Sequence, residues 1–321
     1  MTRRDEQTLM LQAARLYYED NRTQAQIARA LKTSRPTVSR LLQQARQEGI
    51  VQIKIVDPAA THSALEEQLL AAFPLVEAMV ISVESDTVDV ARRRIGQAAA
   101  RYLERTLKNG DRVGIGWGRT LSEVVNALEP RRTARIQAIP LIGGLGQIAP
   151  AFQVHDLARA MAEAFSGTWQ NFYVPALVES DRIAASLLRS ADVRQVASRW
   201  QSLDVAVVGI GNVVFETDLQ MLFVDYLTPE TQTRLRHAHA AGDICVRFFD
   251  ARGKPCDDVL GGVVGIELKQ LKRARRIVGI AGGAEKAEAI LGALRGRYVN
   301  VLVTDEAAAR RVLELHQESA R

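Results

Sequence analysis

The sequence predicts an α/β protein: an N-terminal winged helix-turn-helix head over residues 1–57, then a mainly parallel, doubly wound α/β body over residues 58–321. Three observations predict it. Residues 23–42, TQAQIARALKTSRPTVSRLL, hold two amphipathic stretches at helical spacing with a tight polar break between them. From about residue 60 onward, β-branched runs alternate with helical stretches. Charge is also uneven. The chain carries net +5 overall, but residues 1–57 hold ten Lys/Arg against six Asp/Glu, and the rest hold thirty-two against thirty-one.

In the head, residues 5–20 read as a supporting helix, with Leu9, Ala13, Leu16 and Tyr17 at helical spacing. Ile27, Ala28 and Leu31 give the second helix an apolar side, and small Ala28 lets two crossing helices approach. Lys32-Thr33-Ser34 form the break. Val38, Leu41 and Leu42 line the third helix, Ser34 caps it, and Pro36 is tolerated in its first turn. Gly49 ends it. Ile50–Val56 then reads as a strand, the wing, and Pro58 marks the boundary. Between Arg22 and Arg46 stand six basic residues and no acidic one. Short hydroxyls and guanidinium forks are the groups that bind phosphates and guanine edges. Arg22, Gln24, Ser34, Arg35, Thr37, Ser39 and Arg40 are therefore the candidate DNA contacts. Arg29 and Arg46 are candidates for phosphates alone.

At 321 residues, 47% hydrophobic and 25% charged, the chain suits a globular protein with a substantial core. It has two cysteines, Cys245 and Cys256, at no metal-ligand spacing. No apolar run reaches the roughly 18 residues of a membrane span. A reducing cytoplasm is the expected setting.

In the body, strands are expected at Val76–Val83, Arg112–Gly116, Ile136–Ile142, Asn171–Pro175, Asp204–Ile210, Ile244–Phe249, Arg276–Ile280 and Val299–Thr304. Helices are expected at Val88–Leu107, Asp156–Phe165, Asp181–Leu188, Glu285–Leu294 and Glu306–Leu315. Such sheets bind ligands beyond the carboxyl ends of their strands. Those positions are rich in glycine: Gly114-Ile-Gly116-Trp117-Gly118-Arg119-Thr120, Gly143-Gly144-Leu-Gly146, Gly209-Ile-Gly211-Asn212 and Gly282-Gly283-Ala284-Glu285-Lys286. Glycine lets a backbone approach an anion, and a helix N-terminus directs N–H groups at it. Each turn singly is consistent with a plain tight turn. Together, with Arg119 and Lys286 at helix starts, they point to a phosphorylated small molecule. The GxGxG spacing, with no acidic residue about 20 positions on, does not support a dinucleotide site.

His155, His237 and His239 have no partners at zinc spacing, and His237 and His239 fall in a polar, solvated helix. No metal and no cofactor is expected. Arg247 is either an ion-pair partner within a continuous strand GDICVRFFD or a ligand-binding group. Trp117 is either core or pocket wall. The basic run LKQLKRARR, Leu268–Arg276, reads as a solvated face.

The residues also resemble a known family. AARLYYEDNRTQAQIARALKTSRPTVSRLLQQARQEGIV in the head is similar to the SorC family of sugar-binding transcriptional regulators. So are GIGWGRTL, PLIGGLG, VPA, DVAVVGIGN, GDICVRFFDARG, AGGAEKAEAILGALRG and VNVLVTDEAAAR in the body, in the family's order over nearly the whole chain. The resemblance implies an effector domain like the sugar-phosphate isomerases and deaminases, a phosphorylated sugar or related metabolite as effector, and a homo-oligomer, dimer or tetramer. It implies Gly116, Gly118, Arg119 and Thr120 at the effector site, followed by Gly143, Gly144, Arg247, Asp250, Gly283 and Lys286. Lys32 stands where the helix-turn-helix turn often has glycine, and Thr33 where an apolar residue is usual.

The expected function is a transcriptional regulator of carbohydrate metabolism that binds a double-stranded operator as a two-fold pair of heads and responds to a phosphorylated sugar. The alternative is a sugar-phosphate isomerase or deaminase fused to a DNA-binding head. That would need a base, for which Glu285, Asp204 and Asp305 stand at strand ends.

Overall fold

The computed structural model describes the chain except residues 1–2, 21, 52–63, 84–86, 131, 147–148, 214–227, 258 and 320–321. It divides into two units, Met1–Thr61 and His62–Arg321. The expected boundary at Pro58 and most of the expected wing, Ile50–Val56, lie outside the described residues.

The head unit holds α1 (Arg3–Tyr18), α2 (Gln24–Ala30) and α3 (Arg35–Gln47) around one core. Ile27, Ala28, Val38, Leu41 and Leu42 are buried there as the spacing predicts, with Met10, Ala13 and Ala14 from α1. On α1 the stripe is rotated from the expected one. Tyr17 is 36% exposed and Met10 is buried, because α1 turns its alanine face to its neighbours. Thr23 caps α2 in a capping box with Gln26, a signal the sequence carries openly. The turn after α2 forms a Schellman motif. Thr33 N–H donates to the Ala28 carbonyl (2.9 Å) and Lys32 N–H to that of Arg29 (3.3 Å). Lys32 adopts φ +48°, the left-handed conformation that explains why glycine suits this place.

The body unit opens with α4 (Ala64–Ala72), β1 (Glu77–Ile81), α5 (Val88–Thr106), β2 (Arg112–Ile115) and α6 (Arg119–Asn126). It continues with β3 (Gln137–Pro140), α7 (Val154–Ala164), β4 (Thr168–Trp169), α8 (Asp181–Arg189), α9 (Ala191–Arg199), β5 (Val205–Gly209) and β6 (Gly211–Asn212). Next come α10 (Pro229–His237), β7 (Ala240–Ile244), β8 (Arg247–Asp250), α11 (Leu268–Leu271) and β9 (Arg276–Ile280). The unit closes with α12 (Ala287–Arg295), β10 (Val301–Asp305) and α13 (Glu306–Glu318).

Seven strands form one parallel sheet in the order β1-β10-β9-β5-β2-β3-β4. Neighbouring residues of β5 enter different cores: Val205 and Val207 pack in one apolar cluster, Ala206 and Val208 in the other. A strand alternates faces, so the sheet is covered on both sides, as the apolar strands required. The chain steps from β2 outward to β3 and β4, then returns to the other side of β2 as β5 and runs outward through β9 and β10. The carboxyl ends of β2 and β5 therefore flank a topological switch point.

Two expected strands differ. Asn171–Pro175 is not a strand. The edge strand is β4, a few residues earlier, and Phe172 turns into the core against Trp200. The expected single strand Ile244–Phe249 is a hairpin. β7 and β8 pair antiparallel, and β6 adds to β7 in a separate three-stranded sheet. The chain reverses at Cys245-Val246, a pair without the usual turn residues.

Candidate functional site

A cavity of about 390 Å³ opens at the switch point. The turns after four adjacent strands build it: Gly116–Thr120 after β2, Gly209–Asn212 after β5, Gly282–Lys286 after β9 and Asp305–Ala307 from β10. The start of α5 closes one side with Thr87, Ala91, Arg92 and Ile95. Of the expected effector residues, Gly116, Gly118, Arg119, Thr120, Gly283 and Lys286 meet in this cavity. Trp117 lines it while packing partly against the core, so both readings of that residue apply.

The local geometry follows from the sequence. Gly118 takes φ +113°, which swings the chain from β2 into α6, and no side chain caps that helix. The first turn of α6 carries no acidic residue, and the residues that begin it, Gly118, Arg119 and Thr120, line the cavity at the positive end of the helix dipole. Gly283, at φ +96°, makes the equivalent turn after β9. Its N–H donates to Asp305 Oδ2 (2.7 Å), while Asp305 Oδ1 accepts from Ala308 N–H at the start of α13 (2.8 Å). Both Asp305 oxygens are thus engaged by backbone. Lys286 ends the short 3₁₀ turn that leads into α12 and brings its ammonium to the cavity.

Sequence reasoning did not find Asp243 and Cys245. Asp243 is buried in the cavity wall, and burial raises its carboxyl to about 6, partly offset by the Val246 N–H and by Lys286. Cys245 also lines the cavity. Its thiol is pushed upward, first by burial and then by Asp243, and remains protonated. Both reach the cavity because the chain turns at 245–246, which the continuous-strand reading hid.

Four expected effector residues, Gly143, Gly144, Arg247 and Asp250, are not in the cavity. A Cβ at Gly143 would lie 2.5 Å from the Val174 carbonyl oxygen, so glycine is needed there for backbone packing. Gly144 pairs with the 174–176 segment through Gly144 N–H to Val174 O (2.8 Å) and Ala176 N–H to Gly144 O (2.7 Å). Arg247 does not line the cavity. Its guanidinium donates to the carbonyls of Val263 (3.2 Å), Gly265 (3.4 Å) and Ile266 (3.3 Å). Asp250 closes a turn by accepting from Arg252 N–H (2.9 Å) and Lys254 N–H (2.8 Å).

Of the three carboxylates considered as bases, Glu285 and Asp305 line the cavity and Asp204 does not. Asp204 precedes β5 and accepts from Arg112 N–H (2.9 Å), at the end of the sheet opposite the cavity. Glu285 folds over Gly283, and Asp305 is held as above. Among the described residues no cluster of His, Cys, Asp and Glu suits a metal ion. No helix among them is long and apolar enough to cross a membrane. His237 and His239 are exposed, as are Lys269, Lys272, Arg273 and Arg275 of the basic run. Three of these have partners: Arg273 donates to Gln201 Oε1, Arg275 lies 3.8 Å from Asp111, and Lys272 stands over the Tyr298 ring.

On the head, Arg22, Ser34, Arg35, Ser39 and Arg40 are exposed, and Gln24 and Thr37 are half-buried. Ser34 Oγ accepts from Thr37 N–H (3.2 Å), and the two hydroxyls share a hydrogen bond (2.7 Å). These two therefore also fix the first turn of α3, which leaves Arg35, Ser39 and Arg40 presented along one exposed helix surface.

Comparison with known proteins agrees with this architecture. Residues 57–314 match the family described as a "putative sugar-binding domain", and residues 8–60 match the Crp-like helix-turn-helix domain. The sorbitol operon regulator of Klebsiella pneumoniae is 36% identical over 317 residues, covering 98% of this chain and 100% of its own. The deoxyribonucleoside regulator of Bacillus subtilis is 33% identical over 311 residues, covering 96% and 97%. The crystal structure of full-length SorC from Klebsiella pneumoniae superposes with a TM-score of 0.79 at 36% identity, covering 95% of this chain and 98% of that one. Those relatives are regulators of transcription rather than enzymes. With a helix-turn-helix head, a switch-point cavity and relatives matched along nearly their full length, this chain belongs to the SorC family of sugar-binding transcriptional regulators.

Proposed function

We propose that the cavity binds a phosphorylated sugar or a closely related phosphorylated metabolite, and that this binding controls operator affinity. One observation carries the reading. The bare N-terminus of α6, Arg119, Thr120 and Lys286 converge on one cavity at the switch point, the set of donors and cations a phosphate requires. Arg92 on α5 adds a further cation. Gly116, Gly118 and Gly283 keep the backbone low enough for the ligand to approach. Asp243 stands in the same wall and can accept from a sugar hydroxyl.

In the head, α3 is the recognition helix. Arg35 and Arg40 contact base edges or phosphates. Arg22, Gln24, Ser34, Thr37 and Ser39 support them on the duplex. The protein works in the cytoplasm as a homo-oligomer, dimer or tetramer, whose paired heads match a roughly palindromic operator. The effector acts by binding unequally to the DNA-competent and DNA-incompetent arrangements.

Calorimetry and thermal shift with a panel of sugar phosphates test the reading. One member should raise the melting temperature in proportion to its affinity, and the unphosphorylated sugar should not. Lys286→Ala should weaken that ligand at least tenfold, about 1.4 kcal/mol, while the protein stays folded. Equal affinity of parent and variant would remove Lys286 from the site.

A further inference from the structure

The β7–β8 hairpin closes on two residues, Cys245 at φ +52° and Val246 at φ +63°. Two-residue turns with both φ values positive favour Asn-Gly, because a Cβ resists this conformation. A β-branched residue resists it most. Val246 is nevertheless completely buried, in the same apolar cluster as Ile142, Val263, Val264 and Ile266. Strain at a non-glycine position persists only where its surroundings impose it. Two contacts do so here. Asp243 Oδ2 accepts the Val246 N–H (3.0 Å), and Arg247 ties the next residue to the carbonyls of Val263, Gly265 and Ile266.

These contacts link two different places. Asp243 and Cys245 line the cavity. Residues 263–266 do not. They bind the glycine turn after β3 and the segment beyond it. Gly143 N–H donates to Val264 O (3.0 Å), Val264 N–H to Ala176 O (2.8 Å) and Ile266 N–H to Leu141 O (2.7 Å).

We propose that the hairpin tip is a strained relay: Asp243 in the cavity wall holds the Cys245-Val246 turn left-handed, and Arg247 passes the condition of that turn to residues 263–266 outside the cavity. A ligand group that engages the Asp243 carboxylate competes with the Val246 N–H for it. The turn then loses one of the contacts that impose its strain, and the carbonyls held by Arg247 lose their fixed partner. What engages Asp243 rests on the effector reading above. The coupling from Asp243 to residues 263–266 does not, and it is tested without any ligand.

The test is amide hydrogen exchange on the full chain, read at Val246, Val264 and Ile266. Asp243→Ala should speed exchange at Val264 and Ile266 at least tenfold. Asp243→Asn, whose amide oxygen still accepts from Val246, should not speed them. Adding Val246→Gly to Asp243→Ala should restore protection, because glycine adopts the turn without help. Acceleration confined to residues 243–247, or no rescue by glycine, would overturn the relay. Should Asp243→Ala fail to fold, Arg247→Gln approaches from the other end. It should speed Val264 and Ile266 and leave Val246 protected, and parent-like protection at 264 and 266 would sink the proposal. A protein that binds none of the sugar phosphates would remove the effector reading and leave these exchange results interpretable.

Discussion

The turns after β2 and β3 follow neighbouring strands of one sheet and are both rich in glycine, yet their glycines answer different needs. A Cβ at Gly116 would meet Cys245 Sγ and Leu121 Cδ1 at 3.4 Å, an ordinary contact, and one at Gly118 would meet nothing within 4 Å. A Cβ at Gly143 would meet the Val174 oxygen at 2.5 Å and the Pro175 carbonyl at 2.6 Å. The first turn is open so that something else can come close. The second is full because another stretch of the same chain is already there. The difference comes from topology: β2 borders the switch point, and β3 lies one strand further out.

That contrast can be broken most directly by a methyl group. Gly143→Ala should destabilise the body by about 3 kcal/mol, since the obstructing atoms are backbone and cannot step aside. Gly116→Ala should change stability by less than about 1 kcal/mol and weaken effector binding instead. Denaturant titration and calorimetry on both variants would separate the roles, and a stable Gly143→Ala protein would erase the distinction.

Asp243 sharpens the comparison, because it stands in the open site yet belongs to the buried hairpin. Its carboxyl is raised from 3.8 to about 6, chiefly by burial, so the folded state disfavours the anion. The stability this group adds is complete below about pH 4 and is lost as pH rises through 6. Asp243→Asn should therefore be more stable than the parent by roughly 2 kcal/mol at pH 7, with the advantage fading between pH 6 and 4. Melting temperatures of the two proteins across that range provide the check. A constant difference would mean that the carboxyl titrates elsewhere.

The head repeats the division between backbone need and ligand contact on a smaller scale. Arg35→Ala should lower operator affinity by roughly 1–3 kcal/mol in a salt-controlled binding assay, with little effect on folding. Lys32→Gly should do the reverse. It removes a Cβ from a left-handed position and should stabilise the head by about 1 kcal/mol at most, leaving operator affinity nearly unchanged. A destabilised Lys32→Gly head would show that the lysine stem contributes packing that exceeds the strain.

Much of this architecture was legible in the sequence because its signals are local. Ile27, Val38 and Leu41 carry helical spacing, Ser34 is followed by Pro36, and the glycines of 116–118 and 282–283 fall directly after apolar strands. What escaped was decided by partners distant in the chain. Gly143 looks like Gly116 until Val174 is placed against it. Arg247 reads as a side chain free to reach the cavity until the carbonyls of 263–266 arrive at its fork. Asp243 was hidden by its own neighbours. Cys245-Val246 contains no turn residue, so the stretch reads as one strand, and the reversal that delivers Asp243 to the cavity leaves no local mark. The strain that conceals the hairpin is the same strain from which the relay is inferred.

Pro140, the last residue of β3, bears on how copies of this protein can meet. β4 pairs with Gln137 and Ala138 and goes no further. On the side facing β4 the next position has no N–H to offer, and its carbonyl is already occupied by Trp200 Nε1 at 2.9 Å. An incoming strand therefore finds no ladder to extend past Ala138 along that margin, so any association there must rely on side chains rather than on a sheet continued from one molecule into the next.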